Sequence, residues 1–97
     1  MRLRAIDAHA HLGRWFFPIG AESVDDLRLL MMRNGIEYCA LSSSLAVTYD
    51  IVEGNAELAR NIEGMTMFLG YVVINPNYPD LSRREMDKYL PKGNFCL

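Results

Sequence analysis

Met67 to Ile74 runs through Phe68, Leu69, Gly70, Tyr71, Val72 and Val73 without one charged side chain. A continuous apolar run of strand length is what a parallel β-strand buried on both faces requires. Asn75-Pro76-Asn77-Tyr78-Pro79 follows at once. Proline disfavours helix in the residue before it, so the run must end there in a turn. A strand of this kind needs helices to cover it. The rest of the chain is therefore read as strand–helix alternation, the pattern of βαβ units and a parallel sheet.

Strand-like segments are expected at about 3–9, 37–42 and 67–74, adjacent in order and joined by right-handed crossovers. The first helix starts near Ser23, with Ser23 and Asp26 spaced as a capping box. Its apolar stripe is Val24, Leu27, Leu30 and Met31, and Asn34-Gly35 ends it, with Gly35 suited to a left-handed C′ position. The second helix is expected from Tyr49 to Ile62, with Asp50 in its first turn and Ile51, Leu58, Ala59 and Ile62 as its buried stripe. Gly54 lies inside it and weakens it by about 1 kcal/mol relative to alanine. Close packing against a neighbour, or a break, would account for it. The third helix spans about Asp80 to Leu90, with Ser82 and Glu85 as a second capping box. Asn94 to Leu97 looks like the opening of a fourth strand. Ser42-Ser43-Ser44 reads as a polar loop start after the second strand.

Asp7-Ala8-His9-Ala10-His11 carries the chemistry. Strand side chains alternate, so an unbroken strand points Asp7, His9 and His11 to one face. Two imidazoles two residues apart can converge on one metal ion. Zinc takes histidine nitrogens and usually four ligands, so the pair supplies half a site. The bland alternative is a surface strand on which the histidines do nothing. Against it, these are the chain's 2 histidines, they end a hydrophobic strand where active sites of parallel folds lie, and Ala8 and Ala10 are small. Asp7 is read either as a strand-end residue or as a carboxylate orienting a ligand histidine. Trp15-Phe16-Phe17 is read as core packing for the first helix or as the lining of a substrate pocket.

With 97 residues, 51% apolar and 23% charged, the chain is one globular domain and not a disordered segment. A net charge of −2 leaves no electrostatic footprint for nucleic acid. Arg83-Arg84 reads as a solvated helix face. No apolar run is long enough to span a bilayer. Cys39 and Cys96 stand apart, in no Cys-x-x-Cys pattern, and read as small hydrophobes in a reducing cytosol, so a cytoplasmic location is expected.

The combination resembles the N-terminal portion of the amidohydrolase superfamily, in its amidohydrolase-related branch of metal-dependent hydrolases and decarboxylases. The residues that carry the resemblance are Ile6-Asp7-Ala8-His9-Ala10-His11-Leu12-Gly13, Leu27 through Gly35-Ile36, Gly54-Asn55-Ala56-Glu57-Leu58-Ala59, and Gly70-Tyr71-Val72-Val73-Ile74-Asn75-Pro76. Together these stretches extend the likeness over residues 1–97. It implies an α/β fold made of the first three βα units of a (β/α)8 barrel, which needs roughly 250 residues when closed. It implies that His9 and His11 bind a divalent metal, most commonly zinc, with further ligands on later strands. It implies a metal-activated water attacking a C–N or C–O bond of a small-molecule substrate, or a related non-oxidative decarboxylation. The family's general base is a late aspartate, a position Asp7 does not match.

The chain is thus read as the front part of something larger, inactive by itself and self-associating into a homo-oligomer through open sheet edges. Two other readings stand beside it. One is a non-catalytic βα fragment. The other is a His-x-His barrel nuclease or phosphoesterase, with which Ser42 to Ser44 are compatible.

Overall fold

The structure, a computed structural model, describes residues 4–15 and 22–97. The described elements alternate as the sequence pattern demands. They are β1 (Ala5–Leu12), α1 (Val24–Arg33), β2 (Ile36–Ser43), α2 (Ser44–Thr48), α3 (Ile51–Ile62), β3 (Phe68–Tyr71), α4 (Pro79–Tyr89), a 3-10 turn (Leu90–Lys92) and β4 (Phe95–Cys96). The strands form one sheet in the order β1-β2-β3-β4, and every neighbouring pair is parallel. The protein is therefore α/β with a parallel sheet, as expected. The strand order never reverses. Crossovers of one hand then place the described helices on one face of the sheet and leave the other free of them.

Cys39 to Ser43 of β2 are all buried, and the register rather than burial separates the two faces there. Cys39, Leu41 and Ser43 are buried on the helix side, with Leu41 fully excluded from solvent. Around them lies a core of Leu12, Met31, Leu58, Ile62, Phe68, Val72, Tyr89 and Phe95, with Ala10, Val24 and Leu27 packed against it. On the open face Ile6 is 70% exposed and its register partner Tyr38 is 49% exposed.

Helix α1 forms as the sequence predicts. Ser23 Oγ accepts from Asp26 N–H at 3.1 Å, and Gly35 takes a positive φ of 68° just past the helix. The segment expected as one helix from Tyr49 to Ile62 differs. A short α2 precedes it, capped by Ser43, whose hydroxyl accepts from Ala46 N–H at 3.1 Å. Helix α3 then begins at Ile51, and Asp50 is its N-cap, accepting from Glu53 N–H at 3.0 Å. A carboxylate that satisfies an orphan N–H is more useful outside the first turn than within it. Gly54 has its explanation here. A Cβ at this position would overlap the backbone of Ala46, so α2 and α3 touch where only hydrogen fits.

Helix α4 starts at Pro79, so Ser82 and Glu85 lie inside it and are no capping box. Both are buried. Ser82 Oγ donates to Asn75 O at 2.8 Å and accepts from Asn75 N–H at 3.0 Å, holding the turn after β3. Glu85 Oε1 accepts from Asn55 Nδ2 at 3.1 Å. Strand β3 is shorter than its apolar run. The Val72 N–H still reaches Cys96 O at 2.8 Å, but Val73 turns to the side chain of Asn55. The opening of a fourth strand is present as β4. Arg83 and Arg84 are exposed, as a solvated face requires. No helix among the described residues is long and apolar enough to cross a membrane.

Candidate metal centre

The expected alternation of Asp7, His9 and His11 is interrupted within β1. The register pairs Asp7 with Cys39 but Ala10 with Leu41. Two residues of β1, Ala8 and His9, thus stand against the single Ala40 of β2, which is a β-bulge. Paired residues in a sheet share a face. Asp7 therefore goes with buried Cys39 to the helix side, and Ala10 with Leu41 likewise. His11 pairs with Ser42 on the open face. The three residues do not point the same way; the two histidines do.

The imidazole centroids of His9 and His11 lie 4.9 Å apart, with the rings tilted 61° to each other. His11 Nδ1 is 2.9 Å from Ser42 Oγ. The indole of Trp15 stands edge-on to the His11 ring at 5.2 Å, and Tyr71 stands edge-on to His9 at 6.4 Å. Partial burial lowers the His11 pKa, and the neighbouring His9 lowers it further. That favours the neutral imidazole, the form that binds metals.

The peptide joining Ala8 to His9 is held at both ends by side chains. Asp7 Oδ1 accepts from the His9 N–H at 3.0 Å. The Tyr71 hydroxyl donates to the Ala8 carbonyl at 2.7 Å, reaching over β2 from β3 to do so. Asp7 thus contacts the main chain of a histidine and orients it that way. Its charge also bears on Cys39: burial first, then Asp7, pushes the thiol up to about 11.

Ser42, Ser43 and Ser44 do not open a solvent loop. All are buried. Ser42 belongs to the strand and meets His11, Ser43 caps α2, and Ser44 packs against Gly13, its hydroxyl without a partner among the described residues. Of the aromatic loop, Trp15 is described and sits on His11, favouring a place beside the site. Phe16 and Phe17 lie outside the described residues. Cys39 and Cys96 are both free thiols, the first buried and the second half-buried.

Sequence reasoning singled out the histidines but missed Tyr71 and the pairing of Ser42 with His11. A signal for both was present. Each is a polar group at the carboxyl end of its strand, level with the histidines once the strands are aligned in parallel.

As a donor set, two converging imidazoles fit half of a zinc site. Among the described residues no group of three or more His, Cys, Asp or Glu is placed to hold a metal ion. A groove of about 650 Å³ lies on the helix side, lined by Arg60, Glu63, Lys88 and Tyr89 among others, and neither histidine borders it. No protein family, curated protein or solved structure matches the chain.

Proposed function

We propose that this chain carries the first-strand half of a divalent-metal site in a metal-dependent hydrolase of the amidohydrolase type. The observation that supports the reading most is the His9–His11 pair. Its rings meet at 4.9 Å on the helix-free face of a singly wound parallel sheet. Sheets wound in one direction are the building plan of (β/α)8 barrels, whose chemistry sits at the carboxyl ends of the strands. On this reading β1 to β4 are consecutive barrel strands and the open face is the barrel interior.

His9 and His11 would hold the ion, most suitably zinc. In the tautomer whose Nδ1–H donates to Ser42 Oγ, His11 keeps the Nε2 lone pair for the metal, the arrangement that fixes ligand histidines in many sites. The remaining ligands come from groups outside the described residues. A bound ion supplies a water of lowered pKa and polarises a carbonyl, which suits hydrolysis of a C–N or C–O bond in a small molecule, or non-oxidative decarboxylation. Trp15 beside His11 gives that substrate an apolar wall.

Metal analysis of the protein against a His9→Ala/His11→Ala double variant tests the reading. In a form that supplies the later ligands, the protein should retain zinc or cobalt after dialysis and the double variant should not, whereas the 97-residue chain alone, with half a site, should bind the ion weakly or not at all. Equal metal content in the two overturns it.

A further inference from the structure

We propose that Tyr71 and Asp7 are positioning residues that set the distance between the two metal-binding imidazoles, acting through the Ala8–His9 peptide. The inference rests on the metal reading above and adds to it a mechanism for holding the pair in place.

In a regular parallel strand, each peptide N–H and C=O lies roughly in the plane of the sheet and serves the ladder. At the bulge, register is lost between Asp7 and Ala10, and the peptide between Ala8 and His9 finds side-chain partners. A trans peptide directs its C=O and N–H in opposite directions, and the chain has no cis bond among the described residues. The partners obey that geometry. Tyr71, on the open face, takes the carbonyl at 2.7 Å. Asp7, aligned with Cys39 on the helix side, takes the N–H at 3.0 Å. The peptide plane is thus clamped across the sheet, and its rotation would swing the Cα–Cβ bond of His9.

Among the described residues the His9 ring has no hydrogen-bond partner, whereas His11 is tied to Ser42. Its ring is placed by the backbone beneath it and by edge contacts with His11 and Tyr71. Tyr71 therefore acts twice, through its hydroxyl on the carbonyl and through its ring on the imidazole. Without the clamp the two hydrogen bonds that fix one peptide orientation are lost, and the one-residue excess opposite Ala40 is free to shift. Outer groups that orient metal ligands commonly change affinity about 10–100-fold when removed.

The test separates the clamp from the metal. Amide hydrogen exchange and ring-to-ring NOEs of the metal-free protein report the clamp alone. The His9 N–H should be protected in the native protein although it lies on an exposed edge segment. Tyr71→Phe and Asp7→Ala should each speed its exchange about tenfold or more and weaken the His9–His11 ring NOE. Asp7→Asn, which keeps an acceptor oxygen, should preserve both. Copper(II) is the metal probe, since it binds nitrogen donors most tightly of the common divalent ions. Its EPR spectrum should show two imidazole nitrogens in the native protein and one in Tyr71→Phe, with affinity about tenfold lower. Free exchange of the His9 amide in the native protein overturns the clamp without recourse to any variant. So does an unchanged ring NOE in both Tyr71→Phe and Asp7→Ala. Protection of the amide with no copper bound beyond the level of the His9→Ala/His11→Ala variant keeps the clamp as architecture and overturns its role in metal binding.

Discussion

The side-chain amide of Asn55 pairs with both backbone groups of Val73: Oδ1 accepts from the N–H and Nδ2 donates to the carbonyl, each at 3.0 Å. A helix residue thereby does what a neighbouring strand would do, just where β3 leaves the ladder. Asn55 is fully buried, and its Nδ2 also serves Glu85. Asn55→Ala would strand two backbone groups and a carboxylate. Each buried orphan costs about 1–3 kcal/mol, so a loss of about 3 kcal/mol or more is expected in urea unfolding. Asn55→Asp should be destabilising as well, because it removes the donor and sets a second carboxylate against Glu85.

Gly54→Ala inverts the usual preference. In an exposed helix the change gains about 1 kcal/mol. Here the added methyl meets the Ala46 backbone, and overpacking of that kind costs about 1–3 kcal/mol. Thermal melting of the variant should show a lower midpoint, and Gly54→Ala combined with Ala46→Gly should not restore it, since the clash includes the main chain.

Cys39 should be a poor nucleophile. Its thiol, ordinarily near 9.0, is pushed to about 11 by burial and by Asp7. At pH 8 the native thiolate population falls about 100-fold, and alkylation by iodoacetamide slows by at least that factor relative to the unfolded chain. The shift also has a consequence for stability. The folded state holds this proton more tightly than the unfolded one, so the contribution is complete below pH 9.0 and is lost as pH rises toward 11. Denaturant midpoints should decline over that window, and Cys39→Ala should flatten the decline.

His11 titrates in the opposite sense. Desolvation, then His9, lowers its pKa from 6.5. The folded state resists the proton, so stability is present above that value and erodes as pH falls through the folded pKa. The carbon-bound ring proton of His11 should titrate in NMR with a midpoint below 6.5. A midpoint at 6.5 would mean that the ring is hydrated, and one above it that a neighbouring group favours the charged form.

The alternation of strands and helices was legible because each signal is local. Ser23 caps the turn that follows it, Gly35 adopts the conformation other residues avoid, and Met67 to Ile74 has no polar side to turn outward. The metal-binding candidates were legible for a similar reason, being two imidazoles two residues apart. Asp7 was misplaced on their face because alternation holds only in an unbroken strand, and nothing in Asp7-Ala8-His9 announces a bulge. Ser82 and Glu85 have the spacing of a capping box, but that spacing is shared by any two residues one helical turn apart. Only the approach of Asn55 and Asn75 from elsewhere in the chain shows why they are buried. Tyr71 and Ala8 are 63 positions apart, beyond the reach of any local rule.

The bulge in β1 joins two parts of the protein that the sheet otherwise separates. Where the register is regular, as from Ala10 to Leu12, neighbouring residues alternate between the packed side and the side bearing the histidines. The Ala8–His9 peptide has one end on each. A substitution in the core beside Cys39 that tilts Asp7 would pull on the His9 amide and turn its ring without touching the open face. The distance between the imidazoles is thus tied to how well the helices are seated, and loosening of the core would reach the chemistry by this single plane of atoms.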